Sequence, residues 1–289
     1  MPERTLEPLA NYHCRCGENP LWDGRTGLVY WTDIPAGLLF RYNPATGAHE
    51  CFYRGAVVGG FTLQEDDSLL LFGENRFWTL DPDGRERTIA EGVDDGMTRF
   101  NDVIAAPDGG VFAGTMGKTK ESGGVIRIDP DGSSRCLWRG TGCANGMGFS
   151  PDRRTFYWTC STTRRIFAFD FDAATGELTG RRLWKQFAAE EKIPDGMTVD
   201  AGGHIWSARW DGFGLFHYAA DGELIEKIAF PVAKVSSAIF GGPNMDELYV
   251  TTAGGAGMGE PSDKPDGTLY RVKVAARGLP EFRSRVGLQ

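Results

Sequence analysis

What the sequence lacks narrows its chemistry first. No stretch approaches the roughly 18–20 consecutive apolar residues that a membrane-spanning helix needs. The N-terminus, Met1-Pro2-Glu3-Arg4-Thr5-Leu6, has no apolar run of the kind a secretory signal carries. Positive charge is in deficit, with 31 Lys and Arg against 39 Asp and Glu and a net charge of −8. Phosphate backbones select basic faces, so no nucleic acid and no membrane is expected as a partner. Cys14, Cys16, Cys51, Cys136, Cys143 and Cys160 include no C-x-x-C pair. They fit reduced, mostly buried thiols in a cytoplasmic protein. Histidine is scarce: His13, His49, His204 and His217 are scattered, without the spacing of a zinc site. There is no G-x-S-x-G nucleophile motif, and Gly254-Gly255-Ala256-Gly257 does not follow the phosphate-cradling P-loop pattern. Helical periodicity is weak almost everywhere; residues 188–192 have room for one turn before Pro194.

What is present is turns and short strands. The chain carries 40 Gly and 15 Pro, and 12% of its residues are aromatic, too many for a disordered chain. Pairs of apolar runs recur with a period of roughly 40–50 residues. Leu28-Val29-Tyr30-Trp31-Thr32 leads to Leu38-Leu39-Phe40-Arg41-Tyr42 and the turn Asn43-Pro44-Ala45-Thr46-Gly47. Val111-Phe112-Ala113-Gly114-Thr115 leads to Gly124-Val125-Ile126-Arg127-Ile128 and Asp129-Pro130-Asp131-Gly132. Similar copies begin at Leu69, Phe156, Ile205 and Leu248. β-branched and aromatic runs between Pro- and Gly-bearing turns are the mark of antiparallel strands. Six copies of about four strands predict an all-β fold: a six-bladed β-propeller, four antiparallel strands per blade, as a single domain over residues 1–289. Residues 5–14, ahead of the first copy, are available to complete the last blade beside residues 269–274. Residues 254–265 are predicted to be a loop.

The same phase carries polar residues. Roughly ten residues before the aromatic strand of each copy stand Gly17-Glu18-Asn19-Pro20, Gly59-Gly60-Phe61-Thr62, Arg99-Phe100-Asn101-Asp102, Ala144-Asn145-Gly146-Met147, Pro194-Asp195-Gly196-Met197 and Ser236-Ser237-Ala238-Ile239. In a propeller this position opens the innermost strand of a blade. Four copies place Glu18, Asn101, Asn145 and Asp195 there, and two place small residues. Asn and Asp beside Gly also form ordinary turns, but four at one phase point to a shared site. Buried acids and amides are costly unless paired or metal-bound. An all-oxygen donor set suits a hard divalent cation: Ca²⁺ first, then Mg²⁺ or Mn²⁺.

These motifs, together with Gly114-Thr115-Met116 and Phe240-Gly241-Gly242-Pro243, resemble the senescence-marker-protein/gluconolactonase/regucalcin family over residues 11–275. The resemblance implies a six-bladed propeller that hydrolyses sugar lactones to aldonic acids. It implies a divalent cation held by Glu18, Asn145 and Asp195, with Zn²⁺ or Fe²⁺ as further alternatives. It makes Asp195 the general base and sets Arg99 and Asn101 against the substrate, a small-molecule sugar lactone. An acid used for substrate binding in some members falls at Thr119, and Glu121, two residues on, is the candidate to replace it. Many members have glycine at Asn19 and some an acid at Cys160. Two other readings stand beside the lactonase: another metal-dependent esterase or phosphotriesterase on the same scaffold, and a calcium-binding propeller without catalysis.

Overall fold

The computed structural model describes residues 4–288, and β-strands account for nearly all of its regular structure. Strand β1 (Leu6–Asn11) comes first. The first blade follows as β2 (Gly17–Asp23), β3 (Leu28–Asp33), β4 (Leu38–Tyr42) and β5 (His49–Arg54). The second is β6 (Gly60–Leu63), β7 (Leu69–Phe72), β8 (Arg76–Leu80) and β9 (Glu86–Glu91). The third is β10 (Met97–Ala105), β11 (Val111–Gly117), β12 (Gly123–Ile128) and β13 (Ser134–Thr141). The fourth is β14 (Ala144–Phe149), β15 (Thr155–Cys160), β16 (Arg165–Asp172) and β17 (Glu177–Gln186). The fifth is β18 (Ile193–Val199), β19 (Ile205–Trp210), β20 (Gly214–Tyr218) and β21 (Leu224–Ala229). The sixth is β22 (Val235–Gly241), β23 (Glu247–Thr252) and β24 (Thr268–Lys273), with β1 as its fourth strand. The six sheets, each of four antiparallel strands, make the fold class a six-bladed β-propeller.

The turns follow from their residues. In Asp81-Pro82-Asp83-Gly84 the proline presets φ, and Gly84, at φ 83°, donates its amide to the Asp81 carbonyl at 3.0 Å. Asp129-Pro130-Asp131-Gly132 repeats it, with Gly132 at φ 87°. Residues 5–14 do complete the last blade: β1 pairs with β24, Leu6 opposite Val272 and Asn11 opposite Thr268. The anticipated turn before Pro194 is a 3-10 turn at Ala189–Glu191. No strand occurs between Ala253 and Gly267, the expected loop.

The chain divides into two compact units. One holds the residues up to Gly55 and Phe187–Pro280, with the first, fifth and sixth blades. In it β22 packs against both β2 and β18. Its core includes Trp206, Leu215, Phe230, Phe240, Leu248 and Tyr270, with a second cluster around Trp31, Phe40 and Tyr249. The other holds Ala56–Gln186 and the residues from Glu281 on, with the second, third and fourth blades. In it β10 packs against β6 and β14. Its core includes Leu70, Phe77, Phe100 and Ile126, with a second cluster around Phe112, Phe149, Phe156 and Trp158.

The C-terminal residues belong to this second unit although no strand pattern marks them. The Ser284 amide donates to the Leu63 carbonyl at 2.9 Å, the Arg285 amide to Gly109 at 2.7 Å and the Gly287 amide to Pro130 at 2.9 Å. Val286 is fully buried between these bonds.

Candidate active site

Glu18, Asn145 and Asp195 stand within the first three residues of inner strands and Asn101 midway along β10, and five of the six inner-strand ladders shift register. The β2–β3 ladder shifts between Glu18 and Leu21, and the β10–β11 ladder between Phe100 and Val103. The β14–β15 ladder shifts between Asn145 and Met147, and the β18–β19 ladder between Pro194 and Met197. The β22–β23 ladder shifts between Val235 and Ser237, whereas β6–β7 pairs without a break. A bulge bends its strand and re-aims a side chain, which is why bulges gather at active sites. Here they coincide with Glu18, Asn101, Asn145 and Asp195.

In the first unit Glu18 and Asp195 are each 4% exposed. One Glu18 carboxylate oxygen accepts the Asn19 amide at 3.0 Å. Asn19 itself has φ 48°, a left-handed conformation that glycine adopts freely and asparagine tolerates better than most residues. Strand β22 sits between the two acids' strands and is tied to both. The Ser236 hydroxyl donates to the Gly17 carbonyl at 2.5 Å. On the other side a Cβ on Gly196 would lie 2.1 Å from the Ser237 hydroxyl and 2.8 Å from its Cα. Only glycine lets β18 approach that closely.

Beside Asp195 in the same unit lies a residue that sequence reasoning missed. Arg209 is fully buried. Its guanidinium donates to the Ser207 hydroxyl, to the Ala208 carbonyl at 3.0 Å and to the Tyr218 hydroxyl at 2.8 Å. The Tyr218 hydroxyl donates onward to Glu191 at 2.9 Å, and the guanidinium lies 4.2 Å from the centre of the Phe187 ring. Burial pulls the Arg209 pKa down, while Tyr218, Glu191 and Asp195 oppose that shift. The negative charge on Asp195 is therefore balanced in part by an ordered cation. Trp210 carries the Lys234 ammonium 4.9 Å above its ring, and Phe213 is 51% exposed at φ 51° in the turn after β19.

In the second unit the predicted residues form one hydrogen-bonded chain. Arg99 Nη1 donates to the Phe100 carbonyl at 2.8 Å and to Asn101 Oδ1 at 2.6 Å. Asn101 Nδ2 donates to the Ala144 carbonyl at 2.9 Å and to Asn145 Oδ1 at 3.3 Å. Asn145 Nδ2 donates to the Ser161 hydroxyl at 3.0 Å. The amide of Asn145 is thereby oriented, and its oxygen keeps a second lone pair for a ligand. At Gly59 a Cβ would stand 2.0 Å from the Phe100 carbonyl oxygen and 3.3 Å from Arg99 Nη1. The small residue of the second copy makes room for the third. Glu121 lies apart from this chain, exposed in the loop after β11, its amide donating to Thr119 Oγ1 at 3.3 Å.

Asp102 is a further buried acid of this unit, 8% exposed, with an Oδ1 that has no hydrogen-bond partner. Burial pushes its carboxyl up to about 7, against the downward pull of Arg99. The unfolded chain releases this proton near 3.8 and the folded chain near 7. The folded state therefore binds more protons between those limits, and stability falls as pH rises through that window. Asp102→Asn is expected to flatten that fall, as read from thermal midpoints between pH 4 and 8. Parallel curves for the two proteins would contradict it.

A third constellation joins Asp200, His204 and His217 in the first unit. Two of the histidines that lie scattered in the sequence meet in space. His204 and His217 are thirteen positions apart, but the β19–β20 hairpin folds them back to ring centres 5.3 Å apart.

Comparison with known proteins places the sequence and the fold in one family. The family model described as SMP-30/Gluconolactonase/LRE-like region matches residues 16–254. Pentonolactonase XacC of Haloferax volcanii is 43% identical over 290 residues, covering 98% of this chain and 99% of that protein. Regucalcin of Homo sapiens is 30% identical over 263 residues, 88% of each chain. Among solved structures, a calcium-binding protein, regucalcin, from Agrobacterium tumefaciens superposes with a TM-score of 0.89 at 24% identity, over 98% of both chains. The family match spans both units, so the chain belongs to the SMP-30/gluconolactonase/LRE-like family.

Proposed function

We infer that this chain is a lactonase, a carboxylic-ester hydrolase that opens sugar lactones to aldonic acids. The observation that carries the reading is the 43% identity to a pentonolactonase across 98% of the chain. We further propose that a divalent cation, Ca²⁺ first, is held by Glu18, Asn145 and Asp195. The donor set fits such an ion: two carboxylates and one amide oxygen, each 4–5% exposed, with neither thiolate nor imidazole. When bound, the ion supplies Lewis-acid polarisation of the lactone carbonyl and lowers the pKa of water.

The rest of the chemistry falls to side chains. Asp195 takes the proton of the attacking water as general base, with the buried Arg209 guanidinium close enough to interact with its charge. Arg99 holds its guanidinium in a fixed orientation through Asn101 and the Phe100 carbonyl, leaving its remaining N–H groups for sugar hydroxyls and the developing carboxylate. Asn101 acts chiefly by positioning, because both of its amide hydrogens are already committed to Ala144 and Asn145. Glu121, exposed in its loop, is the candidate for a peripheral contact with the sugar.

Proton release from pentono- and hexonolactones, with the spontaneous opening subtracted, tests the reading. Catalysed hydrolysis is expected to vanish after chelation and to return on adding back a divalent cation. Hydrolysis that survives exhaustive chelation would remove the metal from the mechanism. Turnover of aryl phosphotriesters without lactones would favour the other esterase, and no turnover at all would favour a binding propeller.

A further inference from the structure

We propose a second metal site in this protein, formed by Asp200, His204 and His217 and selective for a borderline transition cation such as Zn²⁺ over Ca²⁺. It lies at the opposite end of β18 from Asp195. Five residues of strand at about 3.3 Å each separate Asp195 from Asp200, so the two sites stand about 16 Å apart.

The geometry matches a tetrahedral ion. Donor atoms ~2.0–2.1 Å from zinc stand about 3.3 Å from one another. Asp200 Oδ2 is 3.4 Å from His204 Nδ1 and 3.6 Å from His217 Nε2. All three donor atoms lie within 4.8 Å of one another. These spacings are too long for good hydrogen bonds and close to the edge of a coordination tetrahedron. His217 is the independent sign of a missing ligand. Its side chain is 9% exposed, and neither ring nitrogen has a hydrogen-bond partner. A buried imidazole with both nitrogens unsatisfied is costly, and a metal on Nε2 removes that cost.

The surroundings are ordered as a metal site requires. His217 Nδ1 faces Glu226 Oε1 at 3.5 Å, the carboxylate–histidine arrangement that orients a ligating ring. Glu226 is held in turn by Arg4, through Nε at 3.1 Å and Nη2 at 2.7 Å. Asp200 Oδ1 accepts the Gly202 and His204 amides, each at 2.9 Å, and Oδ2 accepts Trp206 Nε1 at 3.0 Å. Trp206 also stacks on the His217 ring, centroids 3.7 Å apart. His204 is 38% exposed and opens the fourth position to solvent, which gives the ion an entry path and a water ligand. Two imidazoles and one carboxylate are the donors zinc takes, and they discriminate against calcium, which requires six or more oxygens.

The experiment is zinc titration of the full chain with a competing chromophoric chelator, together with thermal unfolding in zinc. His204→Ala and His217→Gln are each expected to lose one zinc equivalent and the zinc-dependent rise in Tm, with lactone hydrolysis in calcium unchanged for His204→Ala. Glu226→Gln is expected to weaken the same equivalent about 10–100-fold. Asp195→Asn is expected to keep it, which separates this site from the one proposed for catalysis. Folded His204→Ala and His217→Gln proteins that retain the zinc stoichiometry and affinity of the unsubstituted chain would overturn the proposal. So would a zinc equivalent lost from Asp195→Asn but not from the histidine variants.

Discussion

Asp195→Asn is expected to lower kcat/KM for a sugar lactone by ~10³-fold or more, because general-base catalysis alone contributes about 10²–10⁴. The substitution keeps the shape of the side chain and one oxygen ligand while deleting the charge and the proton acceptor. Saturating cation is therefore not expected to restore the rate. The fold should survive, since Asp195 sits at the bulge between Pro194 and Met197 and outside the regular ladder. Proton release from the lactone reads the loss, and an unchanged thermal midpoint confirms that the protein is intact. Full activity in this variant would refute the assigned role.

The second large effect falls on stability. Arg209→Ala is expected to cost about 3–5 kcal/mol, the magnitude seen when one partner of a buried charged network is removed. The change removes the donor to the Tyr218 and Ser207 hydroxyls and to the Ala208 carbonyl, and leaves a void against Phe187. It also removes the cation that offsets Asp195 and Glu191. Arg209→Lys is expected to rescue little, because an ammonium cannot reach three acceptors in the fixed fork of a guanidinium. Urea unfolding measures both variants. A loss below about 1 kcal/mol for Arg209→Ala would mean that the buried cation is incidental to the fold.

Why some of this was readable in advance and some was not follows from the range of the interactions. The blades were readable because each is built from neighbours in the chain: strand, turn, strand, with Asn-Pro-Ala-Thr-Gly or Asp-Pro-Asp-Gly turns marking the first three copies and the related Ala-Thr-Gly and Asp-Gly turns the next two. The pairing of β1 with β24 was readable too, because a ring of blades needs a fourth strand and residues 5–14 had no other partner. The phase of Glu18, Asn101, Asn145 and Asp195 survived as register breaks in their strands. What escaped depends on contacts that no period records. Arg209 looks like an edge cation in Ala208-Arg209-Trp210 until Tyr218 of the next strand is placed against it. Asp200, His204 and His217 show no zinc-site spacing, and the hairpin register that sets Trp206 opposite His217 brings them together. The residues from Arg283 to Leu288 carry no alternation, because they are held by single backbone bonds to Leu63, Gly109 and Pro130.

The claim on which the proposed mechanism turns is that Glu18, Asn145 and Asp195 serve one ion. Anomalous diffraction from crystals loaded with Mn²⁺, followed by refinement with Ca²⁺, tests it most directly. The expected result is one peak with side-chain oxygens of all three residues as ligands, at about 2.3–2.6 Å for calcium. A chain that hydrolyses lactones while its cation is bound elsewhere, with these three side chains contacting only protein, would contradict the account.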